Sequence, residues 1–255
     1  MAVARSVVFS PVGGEGVVEM AVRRLGEAIA VGLIDIGEQL PTELELAEQL
    51  GIASVSVREA LAVLGAGGYV ETRRGRGGGT FVCRPFLSVP PSASRSRAEE
   101  RLRNRSLAEL RDLCVFHLAV SGPSASLAAE RRSEEDAREL ASLADEMEEL
   151  AGDAAFSRAD SRFHIAIAGA ARSPRLVALE TSLQAELNDL LASGREPPEV
   201  AALAVAEHRE IALAIRARDP HMARAVSERH LRRIAALLER RRQAFPGQDA
   251  PPSPG

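Results

Sequence analysis

With 255 residues, 45% of them hydrophobic and 27% charged, the chain has the composition of a folded globular protein, with room for one large domain or two modest ones. A net charge of -4 excludes a nucleic-acid footprint spread over the whole chain, and no run of about 18 apolar residues offers a membrane span. Aromatic residues make up 3% and Trp is absent, so the core must be built from Leu, Ala, Val and Ile, which suits packed helices.

All 32 basic residues are arginine. Residues 1–84 hold eight of them against ten acids, a weak positive endowment for contact with phosphates. Cys83 and Cys114 form no CxxC pair and read as free thiols of a reducing compartment. The N-terminus lacks a basic-then-apolar signal pattern, so the expected location is the cytoplasm, with no membrane partner.

Residues 1–15 read as a flexible arm, and residues 16–84 as the first domain. Val18, Val22, Leu25 and Ile29 recur at helical spacing and predict an amphipathic helix over 17–32. Thr42 and Glu45 form a capping box opening a second helix, with Leu44, Leu46, Ala47 and Leu50 expected on one side and Gly51 as its stop. A second box, Ser56-Val57-Arg58-Glu59, opens a third helix through Val57, Leu61 and Leu64, which Gly65, Gly67 and Gly68 end. Strand-like 69–72 and 80–82 flank a glycine-rich turn carrying Arg73, Arg74 and Arg76. Helix, turn, helix and hairpin in that order outline a winged helix-turn-helix.

Residues 85–105 are rich in proline and serine and read as a linker. From 106 to 242 the pattern is helical, so the chain as a whole is mainly α and the second domain an all-α antiparallel bundle. Ser106 with Glu109 caps its first helix, which Gly122-Pro123 is expected to interrupt. Ser133 to Asp136 opens the next, running through Leu140, Leu143, Met147 and Leu150. Four more are expected at about 154–171, 174–192, 198–217 and 220–242, the last with Asp219 as N-cap and Pro220 at the first position. Residues 243–255 read as a disordered tail.

Asp160 and His164 lie four apart, on one helix face. His208 sits on the stripe of Ile211, Ala212 and Ile215, and His230 lies between Val226 and Ile234. Four such side chains can converge in a bundle core as a metal site for Zn, Ni or Mn with open positions for a ligand. Each histidine alone can equally be a hydrogen-bonded core residue.

The stretches LPTE, LAEQLG, VREAL and RRGRGGGTFV make residues 17–82 resemble the DNA-binding domain of the GntR family of bacterial transcriptional regulators. SRADSRFHIAIAGAARSPRL, at 157–176, resembles the D-x-x-F-H stretch of the FCD effector-binding domain of the FadR-type branch. The resemblance implies that Asp160, His164, His208 and His230 bind a divalent metal, whose coordination a small carboxylate effector often completes. It also implies a homodimer on a two-fold double-stranded operator. Ser54, Ser56, Arg58, Arg73, Arg74 and Arg76 are the residues available for DNA contact.

The chain departs from the family at named places. Leu44, Ala53 and Ser54 stand where members usually carry Arg, Ser or Thr, and Arg. In DLCVFHLAVSGPSASLAAE, His117 and Ser121 stand where Arg and Glu are usual, so an effector would meet these two side chains instead. Ser173 replaces a frequent Asn. The leading expectation is a ligand-responsive regulator. The alternative is a metalloprotein whose DNA reading has decayed and whose pocket performs metal-assisted catalysis on a small acid.

Overall fold

The computed structural model describes residues 16–84, 91–150, 155–191 and 198–245. The expected arm at 1–15, residues 85–90 of the expected linker and residues 246–255 of the expected tail lie outside these residues, whereas Gln243, the first residue of that tail, is the last residue of a helix. Ten helices and a two-stranded sheet make up the described chain.

The first domain holds α1 (Val17–Ala30), α2 (Glu43–Leu50), α3 (Ser54–Ala66), β1 (Val70–Arg73) and β2 (Gly79–Val82). The strands pair antiparallel from Val70 opposite Val82 to Arg73 opposite Gly79. Leu25, Ile29, Leu46, Leu61 and Leu64 fill the core, closed by Val70 and Val82 from the inner face of the hairpin.

The capping box at Thr42 is formed, with the Thr42 hydroxyl accepting from the Glu45 amide and the Glu45 carboxylate accepting from the Thr42 amide. Gly51 ends α2 in the left-handed conformation, at φ 66°. The second expected box is not the start of α3. That helix begins at Ser54 behind Ala53, with no side-chain cap, so Ser56 lies in its first turn. Gly65 is inside the helix, and Gly67 caps it. Leu44 is also placed differently from the expectation: it is 73% exposed, because it sits about 200° around the helix from Leu46.

In the wing, Gly75 and Gly77 take φ of 100° and 84°. At Gly78 a Cβ would stand 2.4 Å from the Arg73 carbonyl oxygen. The turn needs these glycines.

The second domain contains α4 (Pro91–Asn104), α5 (Leu107–Arg131), α6 (Glu134–Glu149), α7 (Phe156–Ala170), α8 (Pro174–Leu191), α9 (Pro198–Arg216) and α10 (Pro220–Gln243). Most of the expected linker is therefore helix. Ala98 and Leu102 of α4 are buried, Leu102 in one cluster with Leu187 and Leu190 of α8. A stripe of two apolar residues is too short to stand out in the sequence, and it is the partner helix that makes α4 worth forming.

Helix α5 also runs unbroken through Pro123. Proline removes one backbone donor, but α5 is held from outside by extensive packing on α10, where Gly122 leaves room for the Glu228 side chain. Ser106 and Ser133 form their capping boxes, and Asp219 accepts from the Met222 amide at 2.9 Å. Arg132, 6% exposed, donates to the Ile215 and Arg216 carbonyls and ties the end of α5 to the end of α9.

The two domains share a core. Ile165, Ala168, Val177 and Ala185 of α7 and α8 pack with the apolar residues of α1 and the segment after it. Ser182 donates to Glu27 at 2.9 Å and Arg158 pairs with Asp35 at 3.2 Å across the same boundary.

Candidate metal centre and nucleic-acid interface

Helices α7, α9 and α10 bring Asp160, His164, His208 and His230 together, with one ligand-type atom from each lying within 4.8 Å of all the others. His208 Nε2 stands 3.3 Å from His164 Nε2 and 3.3 Å from Asp160 Oδ1. Two ligand atoms each roughly 2.0–2.1 Å from a tetrahedral ion would themselves be about 3.3–3.4 Å apart. The donor set therefore fits a divalent cation.

The electrostatics agree with that fit. The three imidazoles are at most 3% exposed. Burial pushes His164 down to about 4, and burial followed by neighbouring histidines and Arg233 holds His208 and His230 well below the usual range. All three are neutral near pH 7, the form that binds metal. Asp160, with 23% of its side chain exposed, is pushed up to about 7 by burial, against the pull of Arg233.

His230 Nδ1 meets Glu207 at 2.8 Å, and Arg233 holds the same carboxylate at 2.8 and 2.9 Å. The carboxylate orients the ring and leaves Nε2 free for the cluster. The Ala204 backbone one turn earlier also interacts with the His208 ring. Sequence reasoning missed Glu207 because it lies next to His208 in the chain and only the approach of α10 gives it a role.

His117 of α5 comes within 6.1 Å of His164, ring centre to ring centre, and its Nε2 is buried without a partner. Burial pushes it down to about 3. Ser121, one turn further along, donates to Glu180 of α8 at 2.7 Å, and Gln184 donates to the other Glu180 oxygen at 2.9 Å. Glu180 is fully buried, and that burial pushes its carboxyl up to about 7. It was also missed, although a glutamate three residues from both Val177 and Leu183 lies on an apolar stripe and could have been noticed.

The first domain is different in kind. Arg58 is exposed and donates from Nε to Glu43 at 3.1 Å, with Nη2 at 3.0 Å from the same oxygen. Ser54 and Ser56 are half-buried in the first turn of α3. Arg73 lies over the Phe81 ring at 4.8 Å and near Glu71. Arg74 and Arg76 are exposed at the wing tip, with no ion pair among the described residues.

The fold is thus a winged helix-turn-helix joined to a helical bundle with a buried polar centre. Two family models match: "Bacterial regulatory proteins, gntR family" over residues 17–82 and "FCD domain" over residues 98–233. The chain is 36% identical over 240 residues to the putative HTH-type transcriptional regulator RmpR of Mycobacterium gastri, covering 91% of this chain and 84% of that one. It is 28% identical over 245 residues to the HTH-type transcriptional repressor NanR of Cronobacter sakazakii, covering 93% and 91%. Among solved structures, Escherichia coli McbR/YncC shares the fold, with a TM-score of 0.50 at 19% identity, covering 89% of this chain and 99% of that one. The chain belongs to the GntR family of bacterial transcriptional regulators, in the FadR-like branch that carries an FCD domain.

Proposed function

We propose that this regulator works in the cytoplasm as a homodimer on a two-fold operator, and that a divalent metal in the second domain is part of its ligand response. Asp160, His164, His208 and His230 hold the ion, which is Zn, Ni or Mn. The observation that carries this reading is the convergence of their four donor atoms within 4.8 Å. The bound ion supplies a positive charge and open coordination positions, to which a small effector bearing a carboxylate binds. His117 and Ser121 face that effector.

Helix α8 is the route to the DNA-binding domain. Glu180 joins it to Ser121 beside the metal centre, and Ser182, two residues on, joins it to Glu27 of α1. A ligand that shifts α8 therefore shifts the seat of the winged domain. Arg58, Arg73, Arg74 and Arg76 contact the duplex, with Ser54 and Ser56 as weaker polar contacts.

Gel-shift titration against the DNA upstream of the protein's own gene, with and without added zinc, tests the reading. A specific shift that metal and a carboxylate effector alter is expected, and its absence under every condition would sink the proposal.

A further inference from the structure

The surface that a helix-turn-helix turns toward DNA carries, in this chain, exposed apolar side chains among its polar ones. Residues 40–66 contain a single arginine, Arg58, and no lysine. Glu43 of α2 holds that guanidinium. Around it, Leu44 is 73% and Val55 62% exposed, and Ala53 and Ala62 are exposed as well. Val55 and Arg58 are three apart and share one face of α3, and Ala62 continues it.

Single exposed apolar residues are ordinary on a protein surface. Ala53 and Val55 are placed at the start of the second helix of the motif, whose N-terminal residues a helix-turn-helix presents to base edges, and Leu44 lies in the first turn of the helix before it. The major groove carries one apolar feature, the thymine 5-methyl group, which small apolar side chains contact. Guanine reading takes a guanidinium presented in a fork to O6 and N7, and here Glu43 competes for it.

We infer that this regulator reads thymine methyl groups through Leu44, Ala53 and Val55, while the wing arginines Arg74 and Arg76 supply contacts to phosphate. The inference rests on the reading of the chain as an operator-binding protein. It assigns sequence preference to methyl contacts and leaves Arg58 a secondary part.

Selection of the full-length protein against a random duplex library, followed by replacement of each thymine in the enriched site by deoxyuridine, tests it. Thymines should recur in the enriched half-sites. Losing one contacted methyl should weaken binding about fourfold, as expected for one buried carbon. The exposed-site variants Leu44→Ala and Val55→Ala should bind the site with a smaller uracil penalty and leave non-specific binding unchanged.

An enriched site at which uracil costs nothing overturns the thymine reading and leaves the operator reading standing. If no sequence is enriched, the operator reading fails and this inference falls with it. A change of oligomeric state in Leu44→Asp or Val55→Asp without DNA assigns the patch to a second copy of the chain and also overturns it.

Discussion

The two domains handle polar chemistry in opposite ways. In the bundle, His117, His164, His208, His230 and Glu180 are buried, so their charge states are set by desolvation and their positions by packing. In the winged domain the polar groups of the reading surface are exposed, and Arg58 shares its charge with Glu43 in water. The first arrangement is rigid and costly unless something charged completes it. The second is cheap and adaptable, and it owes its specificity to whatever it docks against. Interactions of the same nominal type therefore weigh differently: a surface pair such as Arg58–Glu43 contributes about 0–1 kcal/mol, whereas the buried Glu207 carboxylate fixes the orientation of the His230 ring.

One of the two largest expected effects would break the contrast at its centre. On the proposed metal site zinc should stabilise the protein, and replacing His208 by Ala should abolish that stabilisation. For a site with metal at 100 times its dissociation constant, that stabilisation is about 2.7 kcal/mol, and thermal unfolding with and without a chelator measures it.

A second effect of similar size tests whether burial sets the charge states. The carboxyl of Glu180 is raised to about 7, so the stability it contributes is fully present below its unfolded value near 4.5 and is lost as pH rises through 7. Glu180→Gln removes that loss. Denaturant unfolding of the metal-free protein should show the variant gaining on the parent by up to about 3 kcal/mol between pH 5 and pH 8. Parallel pH curves would show that desolvation does not govern this site.

Next in size is the second carboxylate. Glu207→Gln should weaken metal affinity about 10–100-fold while leaving all four ligands in place, which competition with a chromophoric chelator would detect. The smallest effect belongs to the exposed region. Removing Arg74 and Arg76 together, and so four arginines from the proposed homodimer, should lower the slope of log affinity against log salt by up to about 3.6, with little change in thermal stability. A large loss of stability instead would mean that the wing is as integral to the fold as the buried centre.

Much of the architecture was legible because it is written locally. The caps at Thr42, Ser106, Ser133 and Asp219, the stop at Gly51 and the strands around the wing depend on neighbours a few residues away, and each forms as the sequence implies. The histidine stripes belong to the same class, since helical periodicity alone turns His164, His208 and His230 inward. The start of α3 and the side taken by Leu44 were misread locally, and two larger misreadings came where a distant partner outweighs local preference. Pro123 stays within α5 because α10 packs along that helix, and α4 forms on the surface of α8 despite its polar sequence.

The sequence by itself determined the order of helices, the winged motif and which side chains could serve as metal donors, because these follow from spacing and from local hydrogen bonds. Tertiary structure alone decided which of those side chains meet. The 3.3 Å approach of His208 to His164, the grip of Glu207 on His230 and the burial of Glu180 against Ser121 all join different helices. Their charge states follow from water being excluded between those helices, a property of the packed bundle that no single helix contains.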